Sequence, residues 1–121
     1  MAQKSKIREV TIVDKGGTFN TFFRKLTGEG GDYDFEGLAA LRRLLSNERA
    51  RMLHVIKTKR PKSLYELSRL LARDFKSVAS DIKLLQRFAL VEMAAEKTGK
   101  RQRLRPTLAA DTLTIHVRLS S

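Results

Sequence analysis

From residue 35 to residue 88 the apolar positions recur every three or four residues, and before and after that stretch they tend to alternate. The first spacing predicts helices and the second predicts strands. In residues 35–45, Phe35, Leu38, Leu41, Leu44 and Leu45 share one side while Arg42 and Arg43 take the other, with Asp34 placed as a cap. Ser46-Asn47 interrupts the pattern, and either residue suits the N-cap of a second helix over 48–59 whose inward positions are Met52, Leu53, Val55 and Ile56. Pro61 closes that helix, because the residue before a proline is driven out of helical space. A third helix starts at Ser63, which forms with Glu66 the S-x-x-E pattern in which each side chain satisfies an orphan N–H of the first turn. Its face is Leu64, Leu67, Leu70 and Leu71. After Ala72-Arg73-Asp74, Asp74 caps a fourth helix with Phe75, Val78, Ala79, Ile82 and Leu85 inward and Lys76, Ser77, Ser80, Lys83 and Arg87 outward.

The flanks read differently. Residues 7–14 are rich in β-branched side chains, with Val10 and Ile12 on one face of a strand that Gly16-Gly17 ends. Residues 18–26 place Phe19, Phe22, Phe23 and Leu26 at helical spacing, so a short helix capped by Thr18 or Asn20 is expected. The acidic, glycine-rich TGEGGDYD that follows is the best linker in the chain. Residues 89–93 have strand character, Lys97-Thr98-Gly99-Lys100 supplies a turn, and residues 101–106 return. Residues 112–119 alternate Leu113, Ile115, Val117 and Leu119 with Thr112, Thr114, His116 and Arg118. A lone terminal strand has open edges, so this one is expected to pair with the strand near Ile12, of the same chain or a partner's.

Two short helices joined by a tight connector, a third helix to pack on, and a hairpin directly afterwards make an α+β fold: a winged helix-turn-helix with N- and C-terminal strands. The expected division is residues 1–33 as an N-terminal strand and short helix serving as a dimer or partner arm, and residues 34–121 as the winged domain.

Charge gives this fold a direction. Lys and Arg number 25 against 13 Asp and Glu, a net charge of +12 with a pI near 10.6. The stretch from Lys57 to Arg105 holds fourteen basic and five acidic residues, so it carries +9 of that excess. Such a surface attracts polyanions. Lys62, the helix start at Ser63, Arg73 and the hairpin cations Lys97, Lys100, Arg101 and Arg103 are candidates for phosphate contact. Lys76, Ser77, Ser80 and Lys83 are candidates for reaching base edges in the major groove of double-stranded DNA. Asp81 stands against this assignment unless it pairs with Lys83, Arg87 or another cation.

Other chemistry finds little support. There is no cysteine, and His54 and His116 are not placed beside a nucleophile or at metal-ligand spacing. Gly28, Gly30 and Gly31 lack the lysine and hydroxyl of a phosphate loop. No catalytic, cofactor or metal site is expected. No run approaches the roughly 20 apolar residues of a membrane span, and the N-terminus lacks the apolar block of a secretory signal. A cytoplasmic protein with no membrane partner is expected.

The order SLYELSRLLARDFKSVASDIKLLQRFALVE, a basic hairpin and a final alternating strand resembles the MarR-like winged-helix regulators. More narrowly it is similar to small DNA-binding regulators of bacteria and archaea that carry F-x-x-L-x-x-L-R-x-x-L and S-L-x-E-L-x-x-x-L-x-R-D-x-x-x-V-x-x-D-[IV]-x-x-L. Phe35, Leu38, Leu41, Arg42 and Leu45 match the first motif. Ser63, Leu64, Glu66, Leu67, Leu71, Arg73, Asp74, Val78, Asp81, Ile82 and Leu85 match the second. The resemblance implies a transcriptional regulator, and for some relatives an antitoxin that represses its own operon and binds a partner toxin. It also implies that Asp74 caps, that Arg73 meets phosphate, and that Asp81 is a paired structural acid. The unpaired terminal strands and the Phe-rich segment, which a small monomer would struggle to cover, point to a homodimer, expected to act as a repressor. A basic RNA-binding module is the competing reading of the charge.

Overall fold

A computed structural model describes residues 7–25, 33–34 and 37–119. The chain is α+β, with four helices and two small sheets among those residues. Strands β1 (Ile7–Lys15), β2 (Thr18–Lys25) and β3 (Tyr33–Asp34) precede helices α1 (Gly37–Leu44), α2 (Asn47–Lys59), α3 (Leu64–Leu71) and α4 (Phe75–Arg87). Strands β4 (Val91–Thr98), β5 (Arg101–Leu108) and β6 (Thr112–Arg118) complete the order.

The first sheet runs β3-β2-β1-β6, so the two ends of the chain meet. β6 lies parallel to β1 with Ile12 opposite Val117, the pairing expected of the terminal strand. Arg8 fastens this junction from the side. Its Nε donates to the Ala89 carbonyl at 2.9 Å and its Nη2 to the Ala109 carbonyl at 3.1 Å, tying β1 to both strands of the second sheet at its base. That second sheet is the antiparallel pair β4-β5.

Residues 18–25 form a strand, not the expected helix. Helical spacing of phenylalanines coexists there with Thr18, Thr21 and aromatic content that suit a strand, and local turn chemistry decides between them. Lys15 faces Thr18 across a two-residue Gly16-Gly17 loop, with φ of 63° and 89°. Both values lie in the region glycine adopts at no steric cost. The Asp14 carboxylate accepts from the Gly17 N–H at 2.9 Å and holds the turn. Helix α1 is described from Gly37, and Asp34, expected as its cap, pairs in β3 opposite Thr21. Phe35, Leu26 and most of the glycine-rich linker lie outside the described residues.

One core joins the helices to the first sheet. Val10 and Ile12 are buried with Leu41, Leu44, Met52, Ile56, Leu67, Leu71, Val78, Ile82 and Leu85. Each such side chain contributes about 1.5–3 kcal/mol when fully removed from water. Three expected core positions are instead exposed: Leu45, Leu70 and Phe75. Leu70 sits about 100° around the helix from the line through Leu64, Leu67 and Leu71, and Ser68 takes the buried place, its hydroxyl donating to the Tyr65 carbonyl at 2.7 Å. Leu45 falls just past the end of α1, and at Phe75, the first residue of α4, burial has not yet begun.

Candidate nucleic-acid interface

The helix pair α3–α4 is set by its ends. The Ser63 hydroxyl accepts from the Glu66 N–H at 3.0 Å, so the Ser63 half of the expected box is the one formed. At the other end of α3, Ala72 turns left-handed at φ 54°, and the N–H groups of Ala72 and Arg73 return to the Arg69 and Ser68 carbonyls at 3.1 Å each. This closure satisfies carbonyls that a helix end leaves open, and it redirects the chain within three residues.

Asp74 then begins α4 as expected. Its carboxylate accepts from the Ser77 N–H at 3.0 Å and from the Ser77 hydroxyl at 2.8 Å. Those bonds, the backbone one foremost, and the neighbouring Arg73 charge hold the Asp74 carboxyl below its ordinary pKa. Ser77 is thus half-buried and its proton is committed to the cap.

Asp81 is where the sequence reading is sharpened most. It is buried on the inner face of α4, with one guanidinium on each oxygen: Arg49 Nη2 at 2.7 Å from Oδ1 and Arg73 Nη1 at 2.8 Å from Oδ2. Glu48 touches the edge of this cluster, 3.4 Å from Arg49 and 4.0 Å from Arg73. The cluster joins α2, the α3–α4 connector and α4, so it fixes the angle at which α4 is presented. Asp81 does not lie on the outer face beside Lys83. Arg49, which sequence reasoning passed over, is 32 positions from its partner. The available signal was the place of Asp81 on the stripe of Val78, Ile82 and Leu85, where a buried carboxylate requires cations.

Outside this cluster α4 shows Lys76, Ser80, Lys83 and Arg87 along one exposed line, spaced by three or four residues. A hollow of about 370 Å3 at the start of α4 is lined by Arg49, Arg73, Asp74, Lys76, Ser77, Ser80 and Asp81, bringing four of the candidate residues together. A second hollow of about 530 Å3 places Ser63 with Arg103 of β5 beside Tyr65 and Arg69. Lys62, Lys83, Lys97, Lys100 and Arg101 line neither, though each is exposed.

The β4–β5 hairpin closes with Thr98 opposite Arg101, leaving Gly99 and Lys100 as the loop with Gly99 at φ 65°. Its base is anchored by Val91 and Pro106, both buried. Beyond the base, every described side chain from Ala95 to Leu104 is exposed, including Lys97, Lys100, Arg101 and Arg103. Pleat alternation puts Arg101, Arg103 and Arg105 on one face, where Glu96 is opposite Arg103. Among the described residues no cluster of three or more His, Asp or Glu could hold a metal ion. No helix there is long and apolar enough to cross a membrane.

Residues 44–115, more than half of the 121, match the model of the family HVO_A0114. The chain belongs to the HVO_A0114 family. No curated protein matches it. The HVO_A0114 stretch opens at Leu44, the last residue of α1, and ends at Ile115 in the middle of β6. It therefore takes in the whole of α2, α3, α4 and the basic hairpin, with all three members of the Arg49–Asp81–Arg73 cluster. Strands β1 and β2 lie outside the HVO_A0114 match.

Proposed function

We propose that this chain is a sequence-specific, double-stranded DNA-binding transcriptional regulator, a repressor of the MarR-like winged helix-turn-helix kind acting in the cytoplasm. The observation that carries the reading is the outer line of α4. Lys76, Ser80, Lys83 and Arg87 form a cationic and hydroxylic face about three turns long, on a helix whose inner face is locked to α2 and α3 by core packing and by Asp81. A single helix of that width fits the major groove, and base reading requires such a helix to be held rigidly.

In this reading α3 and α4 are the helix-turn-helix and the β4–β5 hairpin is the wing. Lys97, Lys100, Arg101 and Arg103 meet phosphates, and Lys62 and Ser63 meet the backbone at the start of α3. Lys76, Ser80 and Lys83 read base edges. Ser77 orders the first turn through Asp74 and offers its oxygen as an acceptor. Arg73 has Nη1 committed to Asp81 and Nη2 within 4.0 Å of Glu48, so it chiefly sets the approach of α4 and meets phosphate only from the edge of that cluster.

Selection of bound duplexes from a random pool tests the assignment. The wild type should enrich one sequence motif, Lys76→Ala should lose preference at one or two positions, and Lys100→Ala should weaken all sequences equally. Enrichment of no motif, or preference for structured RNA in competition, would contradict the proposal.

A further inference from the structure

Among the described residues β6 is an outer strand of the first sheet, so alternate residues along its seven-residue length present unpaired N–H and C=O groups at its outer edge. Natural edges are usually guarded by proline, a bulge or an inward-pointing charge. β6, TLTIHVR, has none of these on its core-side face: Leu113, Ile115 and Val117 point there, and its one formal charge, Arg118, lies on the other face.

The two ends of that face are unequal. At the far end Val117 is 53% and Leu119 71% exposed, among the most open large apolar residues described. At the near end, an apolar groove of about 580 Å3 runs beside the start of the strand, walled by Leu44, Leu45, Leu53, Ala110 and Leu113. One end offers apolar side chains without a seat, and the other offers a seat.

We propose that β6 pairs antiparallel with β6 of a second copy of this chain, centred on Ile115. In that register Leu113 faces Val117 of the second copy, and Leu119 of the second copy reaches the mouth of the groove at Asp111. Paired residues of an antiparallel ladder point to the same side, so both apolar ends extend the core face already present. Charge follows the same symmetry. Arg118 of the second copy comes opposite Thr112, whose hydroxyl donates to the Asp111 carboxylate at 2.7 Å, so a guanidinium meets an acid at each end. The contact is isologous, each half repeating the other, and it closes after two copies into one sheet ordered β3-β2-β1-β6 and back. Under the DNA-binding reading, on which only this consequence rests, the pairing turns two α4 helices into a two-fold reader.

Sedimentation of the full chain at micromolar concentration should show a species of twice the 13.8 kDa chain mass. Val117→Lys with Leu119→Lys changes exposed positions, so it should keep its thermal transition and sediment as a monomer. Register is tested by cross-linking, because the chain contains no cysteine. Thr114 faces His116 of the second copy, within the roughly 4.4–6.8 Å Cα separation that a disulfide spans, whereas two Thr114 residues do not face each other. Thr114→Cys and His116→Cys should therefore cross-link when mixed and oxidised, and much less when each is alone. A wild-type monomer, a dimer that survives the double lysine variant, or equal cross-linking in all three samples would overturn the pairing. A dimer with the mixed cross-link but no affinity for duplex DNA would uphold the pairing and overturn the DNA reading instead.

Discussion

The α3–α4 unit and the β4–β5 hairpin both offer cations, but they are built in opposite ways. The helix pair is held by two capping side chains, a left-handed closure at Ala72, the shared apolar core and a buried carboxylate between two guanidinia. The hairpin tip has ladder hydrogen bonds, a Gly99-Lys100 loop and no core beneath it. A surface that must match base edges needs fixed geometry, whereas one that meets phosphates gains from being able to adjust. Substitutions in the first region should therefore be read mainly in stability, and those in the second in affinity alone.

The sharpest way to break that contrast is at Asp81. Removing one partner of a buried ion pair leaves charge uncompensated, so Asp81→Ala should cost about 3 kcal/mol or more in a denaturant melt. Leu85→Ala, wholly buried on the same helix, should cost about 2–5 kcal/mol. Ser63→Ala removes one cap and should cost about 1 kcal/mol. At the hairpin, Lys100→Ala or Arg101→Ala should change stability by less than about 0.5 kcal/mol while lowering the salt slope of DNA binding by about one. A large loss of stability there would mean that the tip is structural after all.

The last test concerns pH. The Asp74 pKa is lowered in the folded state, so the contribution of its charge is complete above the unfolded value of about 3.9 and is lost as pH falls through the lower folded value. Asp74→Asn keeps a capping side chain without the charge, so its melting temperature should differ from wild type at neutral pH and converge with it in acid. A gap that widens in acid would contradict the assigned cap.

Much of this architecture is local and hence legible in the chain. Ser63 and Asp74 announce their helices because a cap acts within three residues. Pro61 ends α2, and the Gly99 turn sets the hairpin, for the same reason. The alternation of β6 fixed that a partner strand was needed, and the core-side pairing with β1 followed. Misreadings arose where two local signals competed or where the partner was distant. Phe19, Phe22 and Phe23 fit a helix, but the Gly16-Gly17 loop beside them determines a hairpin. Asp81 could be seen to need a cation, yet nothing near it in sequence points to Arg49, because that contact exists only once α2 and α4 are packed. Leu70 was misplaced because an eight-residue helix has too few turns to define its stripe from spacing alone.

The central claim is that α4 and the hairpin meet duplex DNA together, α4 at base edges and the hairpin cations at phosphates. Affinity for a duplex measured from low to high salt tests it most directly. With roughly five phosphates neutralised, log K should fall against log salt with a slope near −4.5, and Lys100→Ala should make that slope shallower by about one. A flat dependence, or one untouched by the substitution, would contradict the claim.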